Sequence, residues 1–369
     1  MVLSVGQGKT EIPIRSLWLL LIYASDLLSG LRSTERESLM ADSHDADLIG
    51  AIADVLVTEV EHRLRQQLSF HYRSTSADLT RVRGRIDHLR TGTAHLLDQG
   101  RIACVFDELT VNSPRNRFVA ATLRRAARLV ESKEISRRCA AASFTMQRLG
   151  VSPQTPSRPE LSKDRLGHHD SHDRRMLDAA HLVNDMAVPF HEHGSRSITK
   201  LLRDEGKYRK LFEKAVKGYF TYTLRPHGWT VHNPELHWQH GGTGNDHGLL
   251  PAMKTDVVLL DPTKQRRIVI EVKFKDALVN NYADNTTIHS GFLYQLYAYL
   301  KSQAGPADDV ADHAEGVLLF VVANGRDPVN AVSTIQGHPI RFLSVDMTGT
   351  PSDIRNRWDL CLAEAGTTT

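Results

Sequence analysis

Lys254-Thr255-Asp256-Val257-Val258-Leu259-Leu260-Asp261, a polar turn over Pro262-Thr263-Lys264, and Ile268-Val269-Ile270-Glu271-Val272-Lys273-Phe274 form the stretch on which the reading of this chain turns. Both halves are rich in Val, Ile and Leu, so Thr255–Asp261 and Ile268–Phe274 are expected as two strands of a hairpin. Side chains alternate across a strand, which puts Glu271 and Lys273 on one face and Ile270, Val272 and Phe274 on the other. The first face is expected to be chemical and the second core. Two carboxylates, Asp256 and Glu271, brought together across a hairpin make a hard, oxygen-rich site suited to Mg2+, which binds through a few carboxylates and keeps several waters. A lysine beside them, Lys273, can orient a water or stabilise a transition state of phosphodiester hydrolysis. An amphipathic edge strand with a solvent-facing Glu and Lys carries the same triplet, so the surroundings must decide.

Downstream, Gly291–Ser302 places Leu293, Leu296, Tyr297 and Leu300 at helical core spacing, with Gln295 and Tyr299 one turn apart on a neighbouring stripe. The uninterrupted apolar run Val317–Val322 then reads as a central strand covered on both faces. Strand, helix, strand implies a right-handed parallel crossover. Upstream, Tyr208, Leu211, Phe212, Ala215, Val216 and Tyr219 form a helical stripe, and Glu213 lies beside it, either a third acid of the site or a solvated helix-surface residue. An Asp followed across a hairpin by Glu-x-Lys resembles the PD-(D/E)xK nucleases, and a Q-x-x-x-Y pair on the next helix resembles the accessory motif of their RecB-like branch. The resemblance implies an α/β fold: a C-terminal restriction-endonuclease-like domain with a central mixed sheet flanked by helices.

The remaining sequence is bounded by its composition. At 369 residues, 41% hydrophobic and 24% charged, the chain describes a globular protein too long for one core. The loop-rich stretch 150–175 sets the expected division, 1–160 as an N-terminal α+β domain and 161–369 as the nuclease domain. A net charge of only +3 confines any DNA contact to local patches. One candidate runs through Arg115, Arg117, Arg124, Arg125, Arg128, Lys133, Arg137 and Arg138, read as a basic helix started by Ser113 and Pro114. A second surrounds Gly84, with Arg81, Arg83, Arg85 and Arg90. Either patch is a contact for phosphate or an acidic partner, or a solvated surface. Ile49, Ile52, Leu56, Val60 and Leu64 mark an amphipathic helix, and His168, His169 and His172 read as a solvated loop cluster. Cys104, Cys139 and Cys361 show no C-x-x-C spacing, which argues against zinc or a disulfide framework and for a reducing cytoplasm. Leu17–Ala24 is far shorter than the roughly 20 residues of a membrane span and is expected as a buried helix, with no membrane association. No Gly-rich phosphate loop is present, so no nucleotide is expected on this chain itself.

Further stretches bring a closer resemblance. Ile12-Pro13-Ile14-Arg15-Ser16-Leu17-Trp18, Tyr23-Ala24, Arg83-Gly84-Arg85-Ile86-Asp87, Phe106-Asp107-Glu108-Leu109-Thr110, Leu250–Asp256, Glu271-Val272-Lys273 and Leu293-Tyr294-Gln295-Leu296 are similar to the McrC family, the nuclease subunits of McrBC-type modification-dependent restriction systems. That resemblance implies Asp256, Glu271 and Lys273 as catalytic residues, with Asp256 and Glu271 on Mg2+. Glu271 is an allowed variant of the Asp often found there. It also implies an McrB-type AAA+ GTPase hexamer as partner, stimulated by the N-terminal region of the chain, and double-stranded DNA with modified bases as substrate. In the assembly, paired nuclease domains would cut both strands, and partner contact at Arg83 and Arg85 becomes plausible. Two other functions stay open: a catalytically silent adaptor that activates the AAA+ partner, and a stand-alone RecB-like nuclease.

Overall fold

A computed structural model describes residues 2–5, 10–25, 27–31, 48–164, 173–187, 205–236, 249–280, 286–303, 308–322 and 326–364. The histidines 168, 169 and 172 lie outside them. The chain divides into two compact units, one made of residues 1–48 and 185–369 and the other of residues 49–184.

In the first unit, β1 (Val2–Val5) and β2 (Thr10–Pro13) pair antiparallel and lead into helix α1 (Ile14–Ala24). Leu19, Leu20, Ile22 and Tyr23 of α1 are buried, as are Leu17 and Trp18, so this helix is apolar around most of its circumference and must be enclosed by other elements. None of the described helices is long and apolar enough to cross a membrane.

The second unit opens with α2 (Leu48–Gln66), whose Ile52, Leu56 and Val60 are buried as their spacing predicts. A three-stranded sheet follows, with β5 (Ile102–Thr110) between β3 (His71–Leu79) and the short β4 (Arg85–Ile86). Gly84 enters β4 at φ +68°, and a Cβ there would meet the Val105 carbonyl oxygen at 2.5 Å, which explains glycine at this place. Helices α3 (Pro114–Leu129), α4 (Lys133–Arg148) and α5 (Arg174–Ala187) complete it. Ser113 caps α3 as expected, but the basic segment is two helices, broken at Val130 and recapped by Ser132. Ser143 and Ser136 of α4 donate to the carbonyls of Ala120 and Ala127 at 2.9 and 2.6 Å, joining the two.

The basic patch is largely neutralised. Arg115 is buried against Asp164 and Asp173, Arg117 pairs with Glu160 at 2.8 Å, and Arg138 with Asp54 and Glu61 at 2.5 and 2.8 Å. Arg124 donates to the Pro153 carbonyl, and Arg125, half-buried, to the Asn184 side chain. These arginines are therefore braces within the unit, Arg115 buried and Arg117 and Arg138 at its surface. Their acidic partners lie far away in sequence, which is why a local count of charges suggested a patch. Arg83 lies with its guanidinium 4.1 Å from the Phe106 ring centroid, Arg85 is exposed on β4, and Arg90 pairs with Asp78 at 2.9 Å.

The first unit resumes with α6 (Glu205–Leu224) and β6 (Thr230–His232). The short β7 (Glu235–Leu236) pairs with β8 (Met253–Lys254). The hairpin is β9 (Val257–Leu260) and β10 (Arg267–Lys273), antiparallel as expected, with Ile270 opposite Val257. A second small hairpin, β11 (Leu278–Asn280) and β12 (Thr286–Ile288), leads to α7 (Ser290–Gln303), then β13 (Glu315–Val321), β14 (Asn330–Ile335), β15 (His338–Val345) and α8 (Pro351–Asp359). Six strands form one mixed sheet in the order β14-β15-β13-β10-β9-β6, with β10, β13 and β15 parallel to one another. The mixed sheet flanked by helices agrees with the expected α/β class.

Both faces of that sheet are covered, which corrects the expectation of one chemical and one core face. Val269 of β10 packs with Leu318 and Phe320 of β13 beneath Leu296, Tyr299 and Leu300 of α7. Glu271 and Lys273 continue the same face at the rim of that core. Gly316 lets α7 come this close, since a Cβ there would sit 3.0 Å from Leu300. On the opposite face Phe274 meets Tyr208 and Phe212 of α6, with ring centroids 5.8 and 5.5 Å apart. Around Trp358 of α8 gather Tyr23 of α1 and Phe212 and Tyr219 of α6, at 5.9, 6.2 and 5.1 Å. Gly218 permits the helix contact: its Cβ would fall 1.8 Å from the Tyr23 carbonyl oxygen. A single division between residues 160 and 161 does not match these units. The physical reason is α1, whose apolar surface is buried against α6 and α8 of the C-terminal part.

Candidate active site

Asp256 lies just before β9, and Glu271 and Lys273 lie at the end of β10, so the hairpin register brings all three together. The Asp256 carboxylate accepts from the Val272 N–H at 2.8 Å, which fixes it against the neighbouring strand. The Lys273 ammonium donates to Glu271 Oε1 and, at 3.0 Å, to Gln295 Oε1. Gln295 Nε2 in turn donates to the Tyr299 hydroxyl at 2.7 Å. Gln295 and Tyr299 are thus the second layer of the cluster, spaced one helical turn apart on α7. Tyr299 is buried in the core beneath α7, whereas Tyr297, expected there, is only half-buried.

Glu271 is the deepest member, 2% exposed, and its Oε2 has no hydrogen-bond partner. Burial first, and the charge of Asp256 second, push its carboxyl well above the usual carboxylate range. Asp256 is raised in the same direction by burial, opposed by the Val272 N–H and Lys273. The two carboxyls therefore compete for ionisation as a pair, and a proton or a cation between them relieves the strain. Glu213 of α6 is drawn into the same field. Burial and then Asp256 raise its carboxyl, and Arg209 pairs with it at 3.3 Å. It is neither a simple surface residue nor a close third ligand: among the described residues no cluster of three or more His, Cys, Asp or Glu is placed to hold a metal ion.

The donor set fits a hard divalent cation. Two carboxylates, one with an oxygen lacking any donor, match an ion such as Mg2+ that takes few protein ligands and keeps waters or phosphate oxygens in the rest of its shell.

Two residues of the cluster escaped the sequence reading. The Phe292 ring lies 5.0 Å from the Lys273 ammonium and 4.9 Å from that of Lys275, and His289 stacks on it at 4.7 Å. Part of the signal was available: Lys275 follows Lys273 by two residues in sequence, although β10 ends at Lys273, and Phe292 precedes Gln295 by three residues on one helix face. Arg83, Arg85, Arg124 and Arg125 belong to the other unit.

Comparison with known proteins gives the chain its lineage. A model of the McrBC 5-methylcytosine restriction system component matches residues 7–310. The chain belongs to this family. Within it, the McrC resemblance of the motifs is matched by a curated relative, the type IV methyl-directed restriction enzyme EcoKMcrBC of Escherichia coli K12, 21% identical over 294 residues that cover 79% of this chain and 81% of the relative. Two solved McrBC structures are also similar. One is a half-complex of Thermococcus gammatolerans McrB AAA+ hexamers with bound McrC, with a TM-score of 0.43 and 14% identity over 93% of this chain and 76% of the other. The second is the McrBC complex of the same organism, with a TM-score of 0.37 and 14% identity over 56% and 58%.

Proposed function

We propose that this McrBC-family chain is the Mg2+-dependent DNA endonuclease subunit of a GTP-driven, modification-dependent restriction complex, with a PD-(D/E)xK site formed by Asp256, Glu271 and Lys273. The observation that carries the reading is the buried, partnerless Oε2 of Glu271 beside the Asp256 carboxylate, on a strand whose next outward residue is Lys273. A buried carboxylate oxygen without a donor is costly unless the site is built for a ligand.

Asp256 and Glu271 would hold the ion, with Asp256 oriented by the Val272 N–H. A bound Mg2+ supplies a water of lowered pKa and neutralises charge developing on the phosphate. Lys273 keeps its ammonium at the mouth of the pair through Gln295, where it can orient the attacking water or meet the charge of the transition state. Gln295 and Tyr299 hold Lys273 in place, and Glu213 adds negative potential that favours a cation over a proton.

Family membership and the motif matches carry the rest of the proposal. The partner is an McrB-type AAA+ GTPase hexamer, the substrate is double-stranded DNA with modified bases, and the N-terminal part of the chain, within residues 1–160, engages and stimulates the partner. The test combines the full chain with its AAA+ partner, GTP, Mg2+ and methylated or unmethylated duplex, beside Lys273→Ala. Cleavage that requires partner, GTP, methylation and Lys273 is the expected result. GTPase stimulation with no cleavage under any condition would refute the nuclease reading and leave an activator.

A further inference from the structure

Lys275 is exposed, and among the described residues it makes no ion pair; its recorded neighbour is the Phe292 ring, 4.9 Å from its ammonium. Lys273 approaches the same ring at 5.0 Å. Phe292 itself is held from two sides, by the core beneath α7 and by the stacked His289 imidazole, so it is a fixed surface rather than a swinging side chain. His289 is tied down in turn, since its backbone N–H donates to the Ala277 carbonyl at 2.8 Å and its ring Nδ1 accepts from the Gly291 N–H at 3.2 Å.

A cation over an aromatic face is attracted by the ring quadrupole and loses rotamer freedom. That matters here because an ordinary surface lysine spreads its ammonium over many rotamers. Lys275 lies in the bend just beyond the end of β10, two residues after Lys273, and its ammonium reaches the same ring. With ammoniums 5.0 and 4.9 Å from one ring centroid, the two cations share one small area of surface and can meet neighbouring phosphates of one nucleic-acid strand. The acidic partners available nearby are engaged elsewhere: Asp276 pairs with Arg326 at 3.1 Å and Glu271 with Lys273.

We infer that Phe292 is a positioning residue that holds Lys273 and Lys275 on one ring, and that Lys275 grips the phosphate next to the scissile one on the nucleic-acid strand being cut. This rests on the nuclease reading above for the identity of the scissile phosphate, while the phosphate contact itself is measured independently of cleavage. Lys273 serves the reacting phosphate and Lys275 sets the register of the strand across the site.

The experiment uses the full-length chain and a methylated duplex, with Ca2+ in place of Mg2+, and follows DNA affinity against salt for wild type, Lys275→Gln, Phe292→Leu, Phe292→Tyr and the Phe292→Leu/Lys275→Gln pair. Losing one phosphate contact should lower the slope of log affinity against log salt by about 1 in Lys275→Gln. Phe292→Leu, which keeps apolar volume but removes the ring face, should weaken binding in the same direction, and Phe292→Tyr should restore it. The double variant should add little to either single change, because both act on one contact. Cleavage by the partner-assembled chain with Mg2+ is read in parallel. There Lys275→Gln should raise KM with a smaller change in kcat, and Phe292→Leu should lower kcat as well through Lys273. An unchanged salt slope in Lys275→Gln, or additive losses in the double variant, overturns the inference. Should the slope fall while wild type never cleaves, the phosphate contact stands and the nuclease reading is what has failed. If Phe292→Leu does not fold, Lys275→Gln and Phe292→Tyr still decide.

Discussion

Replacing Glu271 by Gln should stabilise the metal-free chain while ending its response to Mg2+. Glutamine keeps the shape of the side chain and leaves Oε1 to accept from Lys273, but it puts an N–H donor where Oε2 now has none, facing a carboxylate. Removing an unsatisfied buried group is worth about 1–3 kcal/mol. Against this, the Lys273 bond loses its charge assistance, and such bonds are about twice as strong as neutral ones, so roughly 1 kcal/mol is returned. The net gain is about 1 kcal/mol, or about 2–4 °C in the melting transition of the sheet-bearing unit. Its pH dependence follows from the raised carboxyl of Glu271. A folded pKa above the unfolded one gives stability that is complete below the unfolded value and is lost as pH rises through the folded value. Wild type should therefore weaken relative to Glu271→Gln between mildly acidic and alkaline pH. At low pH, where Glu271 is protonated and resembles Gln, the two should converge. Thermal melts in EDTA from pH 5 to 9, repeated with Mg2+, measure this. In Mg2+ the order should reverse, because only wild type gains the binding term. A variant less stable than wild type at high pH in EDTA, or one that still gains stability from Mg2+, would refute the reasoning.

Three further outcomes are expected. Lys273→Ala should abolish DNA cleavage yet leave stimulation of the partner's GTPase, read by phosphate release, because stimulation is assigned to the N-terminal part of the chain and cleavage to the Asp256–Glu271–Lys273 site. Gly218→Ala should cost roughly 2–3 kcal/mol or more, since its Cβ would overlap the Tyr23 carbonyl; a melting curve equal to wild type would mean that α1 does not pack on α6. Arg115→Ala should destabilise the unit 49–184 by about 3–5 kcal/mol by leaving the buried Asp164 carboxylate without its cation, while Asp173 keeps Arg63 at 3.0 Å, measured by denaturant unfolding. Restoring part of that loss with Asp164→Asn in the same chain would identify the cause.

What could be read from sequence were patterns closed within a few residues or one element. The alternation of Val, Ile and Glu271 announced β10, the Gln295 to Tyr299 spacing announced a shared face of α7, and Ser113-Pro114 announced the start of α3. What escaped needed partners far along the chain. Arg115 looked like surface charge because Asp164 and Asp173 lie dozens of residues away, and much of one extended patch became intramolecular ion pairs and hydrogen bonds, that of Arg115 buried. The Val272 N–H that orients Asp256 is a backbone group and leaves no trace in residue identity. The division of the chain was obscured for a related reason: nothing near Leu17–Tyr23 says that this apolar helix is matched by Gly218 and Trp358. Tyr299 shows the limit of simple periodicity, since it serves both the core and the polar chain from Lys273.

Because the residues 49–184 interrupt the unit that carries the sheet, the two units complete themselves at different moments of synthesis. The inserted unit is continuous and can fold as soon as its last helix has left the ribosome. Helix α1 must instead wait for its mate, since Tyr23 and Gly218 are 195 residues apart. At 5–20 residues per second this is roughly 10–40 s during which a nearly all-apolar helix stays uncovered. A nascent chain of this kind would hold the unit that carries the six-stranded sheet incomplete until α6 had been translated, and α1 would be the segment that a holding chaperone guards.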